Sequence, residues 1–99
     1  MPLHNLLING ELLSTIETFD VIDPATGQVF AQCPKARSEH LDQAVAAAQA
    51  AFEKWRLVPI EQRRSILNKV ADAINAHAER VIPLLTREQG KTLSASAIE

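Results

Sequence analysis

The chain has 99 residues, of which 46% are hydrophobic and 22% charged, and its formal net charge at pH 7 is −2. That length allows one small domain or a part of a larger one, and the balance of apolar and charged residues excludes a disordered tail. Ten Lys and Arg are scattered among twelve acids, so there is no basic stripe to neutralise phosphates and nucleic acid is excluded as a partner.

The first residues, Met1-Pro2-Leu3-His4-Asn5, carry no basic region ahead of an apolar core, so they do not read as a secretory signal. No apolar run approaches the roughly 20 residues that span a bilayer, and no membrane partner is expected. A single cysteine, Cys33, cannot form an internal disulfide and fits a reducing compartment. The expectation is a soluble, cytoplasmic chain.

Leu6-Leu7-Ile8 and Glu11-Leu12-Leu13 flank Asn9-Gly10, a dipeptide suited to positive φ and a strong hairpin signal. A second pair of β-prone runs, Phe19-Asp20-Val21-Ile22 and Gln28-Val29-Phe30-Ala31-Gln32-Cys33, flanks Asp23-Pro24-Ala25-Thr26-Gly27. Proline near the start and glycine at the end of that connection predict a tight reversal. Pro34 closes this β part, because proline cannot donate to a ladder. Residues 1–35 therefore read as a small antiparallel β-hairpin unit.

Residues 36–99 read as helical. Ser38 is expected as N-cap, with Glu39 and Asp42 in the first turn to complement the helix dipole. Leu41, Ala44, Val45, Ala48, Ala51, Phe52 and Trp55 recur at three- and four-residue intervals and form one apolar stripe. Pro59 fits the first turn of a second helix. From Leu67 to Leu85 another stripe runs unbroken in pattern alone, but Pro83 lacks an N–H and clashes with the carbonyl of residue 79. A break is therefore placed within residues 75–78, and a third helix over about 79–90 ends at Gly90 as its C′ glycine. Residues 91–99 open a further helical stretch without a stop signal. The fold class is α+β: an N-terminal antiparallel β-hairpin unit followed by three to four α-helices, together one incomplete domain.

Few residues carry chemistry. Cys33 stands near the end of a strand, before Pro34, with no His nearby and no helix N-terminus to activate the thiol. It reads as a small packing residue. His4, His40 and His77 lack metal-ligand spacing and read as solvated or capping residues. Gly10, Gly27 and Gly90 are the only glycines, so no glycine-rich loop cradles a pyrophosphate, and Gly90-Lys91 lacks the earlier glycine of a P-loop. Glu61 with Arg63, Arg64 and Lys69 reads as a solvated helix face whose ion pairs contribute roughly 0.2–0.5 kcal/mol each. No catalytic and no cofactor-binding residue is assigned.

The turn at residues 23–27, Pro34-Lys35-Ala36, the alanine-rich run from Leu41 to Ala48 with Ala51-Phe52 and Trp55, Glu61, Arg63, Arg64 and Leu67, and Leu84-Leu85-Thr86-Arg87-Glu88-Gln89-Gly90-Lys91 follow one another in a distinctive order and spacing. In that order they closely resemble the amino-terminal segment of the NAD(P)-dependent aldehyde dehydrogenase superfamily, over residues 6–99. The resemblance implies an oxidoreductase that converts an aldehyde to a carboxylic acid with NAD or NADP. In the full-length family a cysteine thiolate attacks the carbonyl, hydride passes to the nicotinamide, and a glutamate-activated water hydrolyses the thioester. The resemblance places all of these groups beyond residue 99. It implies that this segment supports the cofactor-binding domain as scaffold, so the chain alone is expected to be inactive, to bind no cofactor, and to meet an aldehyde substrate only in full-length form.

The same resemblance carries over one site. Backbone carbonyls of Val21 and Ile22, just before the turn, and the Glu88 carboxylate, just before Gly90-Lys91, match the positions at which several members hold a monovalent cation; further ligands lie beyond residue 99. Hard oxygen donors suit such an ion, by analogy with calcium sites. Self-association or a homo-oligomer is expected, because apolar stripes and strand edges around residues 6–8 and 29–31 are left without cover. A different reading is a natural short, non-catalytic interaction module that binds itself or a larger homologue. A metal or redox protein built on Cys33 and the histidines has no spacing to support it.

Overall fold

The computed structural model describes residues 3–99. Met1 and Pro2, on which the reading of residues 1–5 partly rests, lie outside the described residues. The elements in chain order are β1 (Leu6–Ile8), β2 (Glu11–Leu13), β3 (Thr18–Ile22), β4 (Val29–Pro34), α1 (Ser38–Trp55), α2 (Ile60–Ala76), α3 (Ala78–Gln89) and α4 (Leu93–Ile98). Two hairpins followed by helices is the architecture expected from the sequence. The strands form two separate two-stranded sheets, β1 with β2 and β3 with β4. By compactness the chain divides into two units, Met1–Val21 with Val29–Leu57, and Ile22–Gln28 with Val58–Glu99.

In the first unit, Asn9 (φ 53°) and Gly10 (φ 76°) both take positive φ, the requirement of a type I′ turn whose twist matches the flanking strands. The register that follows pairs Ile8 with Glu11, Leu7 with Leu12 and Leu6 with Leu13. Helix α1 packs on β1, and Ala44, Ala47, Ala48 and Ala51 face Leu7, Ile8, Asn9 and Gly10 across an open groove of about 410 Å³. Strand β4 supplies the apolar burial: Phe30 is 8% and Ala31 2% exposed. This stretch, expected as a strand edge, lies on β4, which pairs with β3, and it includes both buried residues. Just beyond it Leu3 bridges Gln32 in parallel, and the His4 N–H donates to the Gln32 carbonyl at 3.1 Å.

Helix α1 begins one position away from expectation. Ser38 is its first helical residue and Arg37 is the N-cap, with extended φ −113° and ψ 174°. The cap is satisfied from inside the helix: His40 Nδ1 accepts the Arg37 backbone N–H at 2.9 Å. A ring nitrogen that accepts leaves its proton on Nε2. The reciprocal half of a capping box is thus made by an imidazole where Glu or Gln usually serves. Within the expected stripe Leu41 and Phe52 remain 63% and 54% exposed.

In the second unit Pro59 (φ −56°, ψ 145°) is the N-cap of α2, one residue before the helical position expected for it. Its carbonyl accepts the Arg63 N–H at 3.1 Å. His77 separates α2 from α3 and serves both. Its N–H donates to the Ile74 carbonyl and its own carbonyl accepts from Arg80 and Val81. Its Nδ1 lies 2.8 Å from the Ala73 carbonyl; a carbonyl can only accept, so Nδ1 carries the proton. The break falls within residues 75–78 as expected, but it does not relieve Pro83. That proline is the sixth residue of α3 and lies inside it, where the helix forgoes one backbone bond. Gly90 ends α3 in the left-handed region at φ 75° and donates its N–H to the Thr86 carbonyl at 2.8 Å. Thr92 caps α4 by accepting the Ala95 N–H. Ser96, only 4% exposed, joins α4 to α3 through a 2.8 Å hydroxyl bond with Thr86.

Candidate functional site

The turn over residues 23–27 is held almost entirely by Asp23. Its N–H donates to the Gln28 carbonyl at 2.9 Å, and its carbonyl accepts from Gly27 at 2.8 Å and Thr26 at 3.3 Å. Oδ1 of its carboxylate accepts the Ala25 N–H at 2.9 Å, an Asx turn. Gly27 supplies the positive φ of 71° at the exit. The remaining carboxylate oxygen, Oδ2, faces Arg87 Nε at 3.6 Å, and the Asp23 side chain is only 13% exposed.

A second contact fixes the same docking. A Cβ built on Gly90 would stand 3.2 Å from Pro24 Cβ, so the absence of a side chain at Gly90 lets the turn approach the end of α3. An ion pair and a steric fit therefore hold residues 23–24 against residues 87–90, all within the second unit. The sequence offered each half separately, a turn acid and a last-turn arginine beside a C′ glycine, but nothing local to pair them.

Val21 and Ile22 are the last two residues of β3, immediately before this turn. Ile22 and Glu88 belong to the second unit and Val21 to the first. Glu88 follows Arg87 directly, in the last turn of α3, and is exposed. The docking of Asp23 on Arg87 thus brings the chain segment of Ile22 to that of Glu88. The donors available are carbonyl oxygens and one carboxylate, a hard set with a single negative charge, which fits a monovalent cation better than a thiophilic metal.

Elsewhere, Cys33 is a free, half-buried thiol on β4. His40 and His77 cap helices, and His4 donates its backbone N–H to β4. Among the described residues no three His, Cys, Asp or Glu side chains gather to share a metal ion. Glu17, which sequence reasoning passed over, joins β3 to the approach of α1: it pairs with Arg37 and, at 3.4 Å, with Lys35. The Arg37 hydrogen bond, then its charge, then Lys35 hold the Glu17 carboxyl below its ordinary value of 4.5. Arg64 pairs with Glu61 at 3.1 Å on an exposed face of α2, as the helical spacing suggested. Among the described residues no helix is long and apolar enough to cross a membrane.

The family model described as the aldehyde dehydrogenase family matches residues 13–99. Similar curated proteins include the malonate-semialdehyde dehydrogenase of Listeria monocytogenes, 42% identical over 89 residues, which cover 88% of this chain and 18% of that protein. The NADP/NAD-dependent aldehyde dehydrogenase PuuC of Escherichia coli is 37% identical over 97 residues, 94% of this chain and 20% of the relative. Among solved structures, lactaldehyde dehydrogenase from Escherichia coli superposes with a TM-score of 0.94 at 28% identity, over 99% of this chain and 21% of that one. The chain spans about a fifth of the length of the relatives it matches.

Proposed function

The chain belongs to the aldehyde dehydrogenase family, and we propose that it is the amino-terminal scaffold of an NAD(P)-dependent aldehyde dehydrogenase of the cytoplasm. NAD or NADP serves the full-length family. In this reading residues 1–35 and 36–99 together form one incomplete domain, the first part of the cofactor-binding domain. The chain alone oxidises no aldehyde and binds no dinucleotide. In this reading the carbonyls of Val21 and Ile22 and the carboxylate of Glu88 would hold a monovalent cation, with further ligands from later sequence.

The observation that carries the scaffold reading is burial. Among the described residues only Phe30 and Ala31 are buried apolar side chains, while Leu41, Val45, Phe52, Leu67, Val70 and Ile74 are all exposed. A self-sufficient domain of this size covers far more of its apolar surface. Those faces are open for further protein to cover, and the chain spans about a fifth of the relatives it matches, which supports this reading.

The test is to assay the isolated chain with a panel of aldehydes and with NAD and NADP, beside a Cys33→Ser control. The expected result is no cofactor reduction above the control, because lacking even one catalytic group costs orders of magnitude in rate. Calorimetric titration is expected to show no saturable binding at micromolar cofactor, and saturable binding would overturn the scaffold reading. Sequencing the DNA downstream separates this reading from a natural short interaction module: the reading expects an in-frame continuation, and a stop codon there would favour the module.

A further inference from the structure

We propose that Asp23 and Arg87 are a positioning pair, a latch within the second unit that sets the distance between Ile22 and Glu88 and thereby tunes the binding of a cation by these two residues. The inference rests on the cation reading above and adds to it two residues that are not ligands. Asp23 uses its N–H, its carbonyl and Oδ1 within its own turn, so the turn is rigid and moves as one piece. Its remaining oxygen, Oδ2, is the one that meets Arg87, at 3.6 Å and from a side chain only 13% exposed. The partner arginine is the residue before Glu88, and Asp23 is the residue after Ile22. One ion pair thus clamps the two chain neighbours of the donors. The close approach of Pro24 to Gly90 supports the same docking from its other side. Groups that orient ligands without touching the ion commonly govern affinity in this way.

The pair has a second consequence. Of the two carboxylates near the site, Asp23 is paired with Arg87, so Glu88 supplies the charge that faces an ion, and the site keeps the low charge that suits an alkali cation.

The experiment uses the protein at its natural length. Thermal unfolding is followed across a potassium titration at constant ionic strength, with choline as the balancing ion. Four variants are compared with the unaltered protein: Asp23→Asn, which keeps an oxygen for the Ala25 cap, Arg87→Gln, the two combined, and Glu88→Gln. The unaltered protein is expected to show a saturable rise in melting temperature with potassium, and Glu88→Gln to lose it. Asp23→Asn and Arg87→Gln should each raise the half-saturating potassium concentration by roughly tenfold, with the double variant no worse than either single one, and with this shift present whatever the loss of melting temperature in choline. If the two single variants shift the half-saturation in opposite directions, the charges act separately through space and the latch is refuted. Equal loss of stability in both salts with unchanged half-saturation would make the pair merely structural and also refute it. A potassium response absent from the unaltered protein would remove the cation site and the latch with it, while leaving the scaffold reading to its own assay.

Discussion

Two glycines with nearly the same backbone conformation differ in what surrounds them. Gly27 (φ 71°) opens on empty space, whereas a Cβ on Gly90 (φ 75°) meets Pro24 at 3.2 Å. Gly27→Ala is expected to cost about 1–2 kcal/mol, the left-handed penalty alone. Gly90→Ala should cost more, by up to about 1 kcal/mol for the forced contact, and adding Pro24→Ala should narrow the gap. Urea unfolding midpoints of the four proteins measure this. Glu17 supplies a residue-scale dependence on pH. Its folded-state carboxyl sits below the ordinary value of 4.5 because Arg37, and then Lys35, favour the charged form. Its contribution is therefore complete above that value and disappears as the pH falls through the depressed one. The pair is exposed and the effect small, yet acid titration of stability should be shallower below about pH 4.5 for Glu17→Gln than for the unaltered chain.

At the scale of elements, α3 carries a correctable defect. Pro83 is its sixth residue, so the bond that residue 83 would donate to the Glu79 carbonyl is missing and the ring crowds the turn before it. Pro83→Ala is expected to stabilise α3 by about 1–3 kcal/mol. It should not fuse α2 with α3, because His77 holds the break independently through the Ala73 and Ile74 carbonyls. Amide exchange tests both halves: slower exchange across α3, and an unchanged rate pattern at residues 75–78. A merged, uniformly protected helix would show that Pro83 alone causes the break. The β1–β2 hairpin rests on strands of three residues each, and so on its turn. Asn9→Val, a β-branched residue forced to positive φ, should speed exchange across residues 6–13 while leaving α3 and α4 unaffected.

For the whole molecule, the exposed apolar side chains dominate behaviour in solution. Twenty large hydrophobic residues are exposed, from Leu3 to Ile98, and only two apolar residues are buried among those described. The isolated chain is expected to self-associate or to be marginally folded, with apparent stability that rises with protein concentration. Light scattering together with thermal melts over a wide concentration range checks this. A monodisperse monomer with a concentration-independent melting temperature would count for an autonomous small domain.

The sequence by itself determined the elements and their order, because those depend on near neighbours. Asn9-Gly10 specifies its turn through φ, the three- and four-residue recurrence specifies α1, and Gly90 specifies the end of α3. Even here the local reading slipped where chemistry was substituted within a motif: His40 took the role expected of an acidic or amide side chain, and the cap moved from Ser38 to Arg37. The motif order also sufficed for the family, since ordered spacing survives where single residues do not. Only the tertiary structure decided which turn meets which helix end. Asp23 and Arg87 are far apart in sequence and unremarkable singly, and their pairing follows from backbone geometry summed over every element between them. The same holds for Ser96, buried because α4 folds onto α3, and for Phe30 and Ala31, the most deeply buried apolar residues, whose neighbours in the pattern looked no different. Local conformation is set by torsions and adjacent side chains, whereas burial and long-range pairing are set by what the rest of the chain brings near.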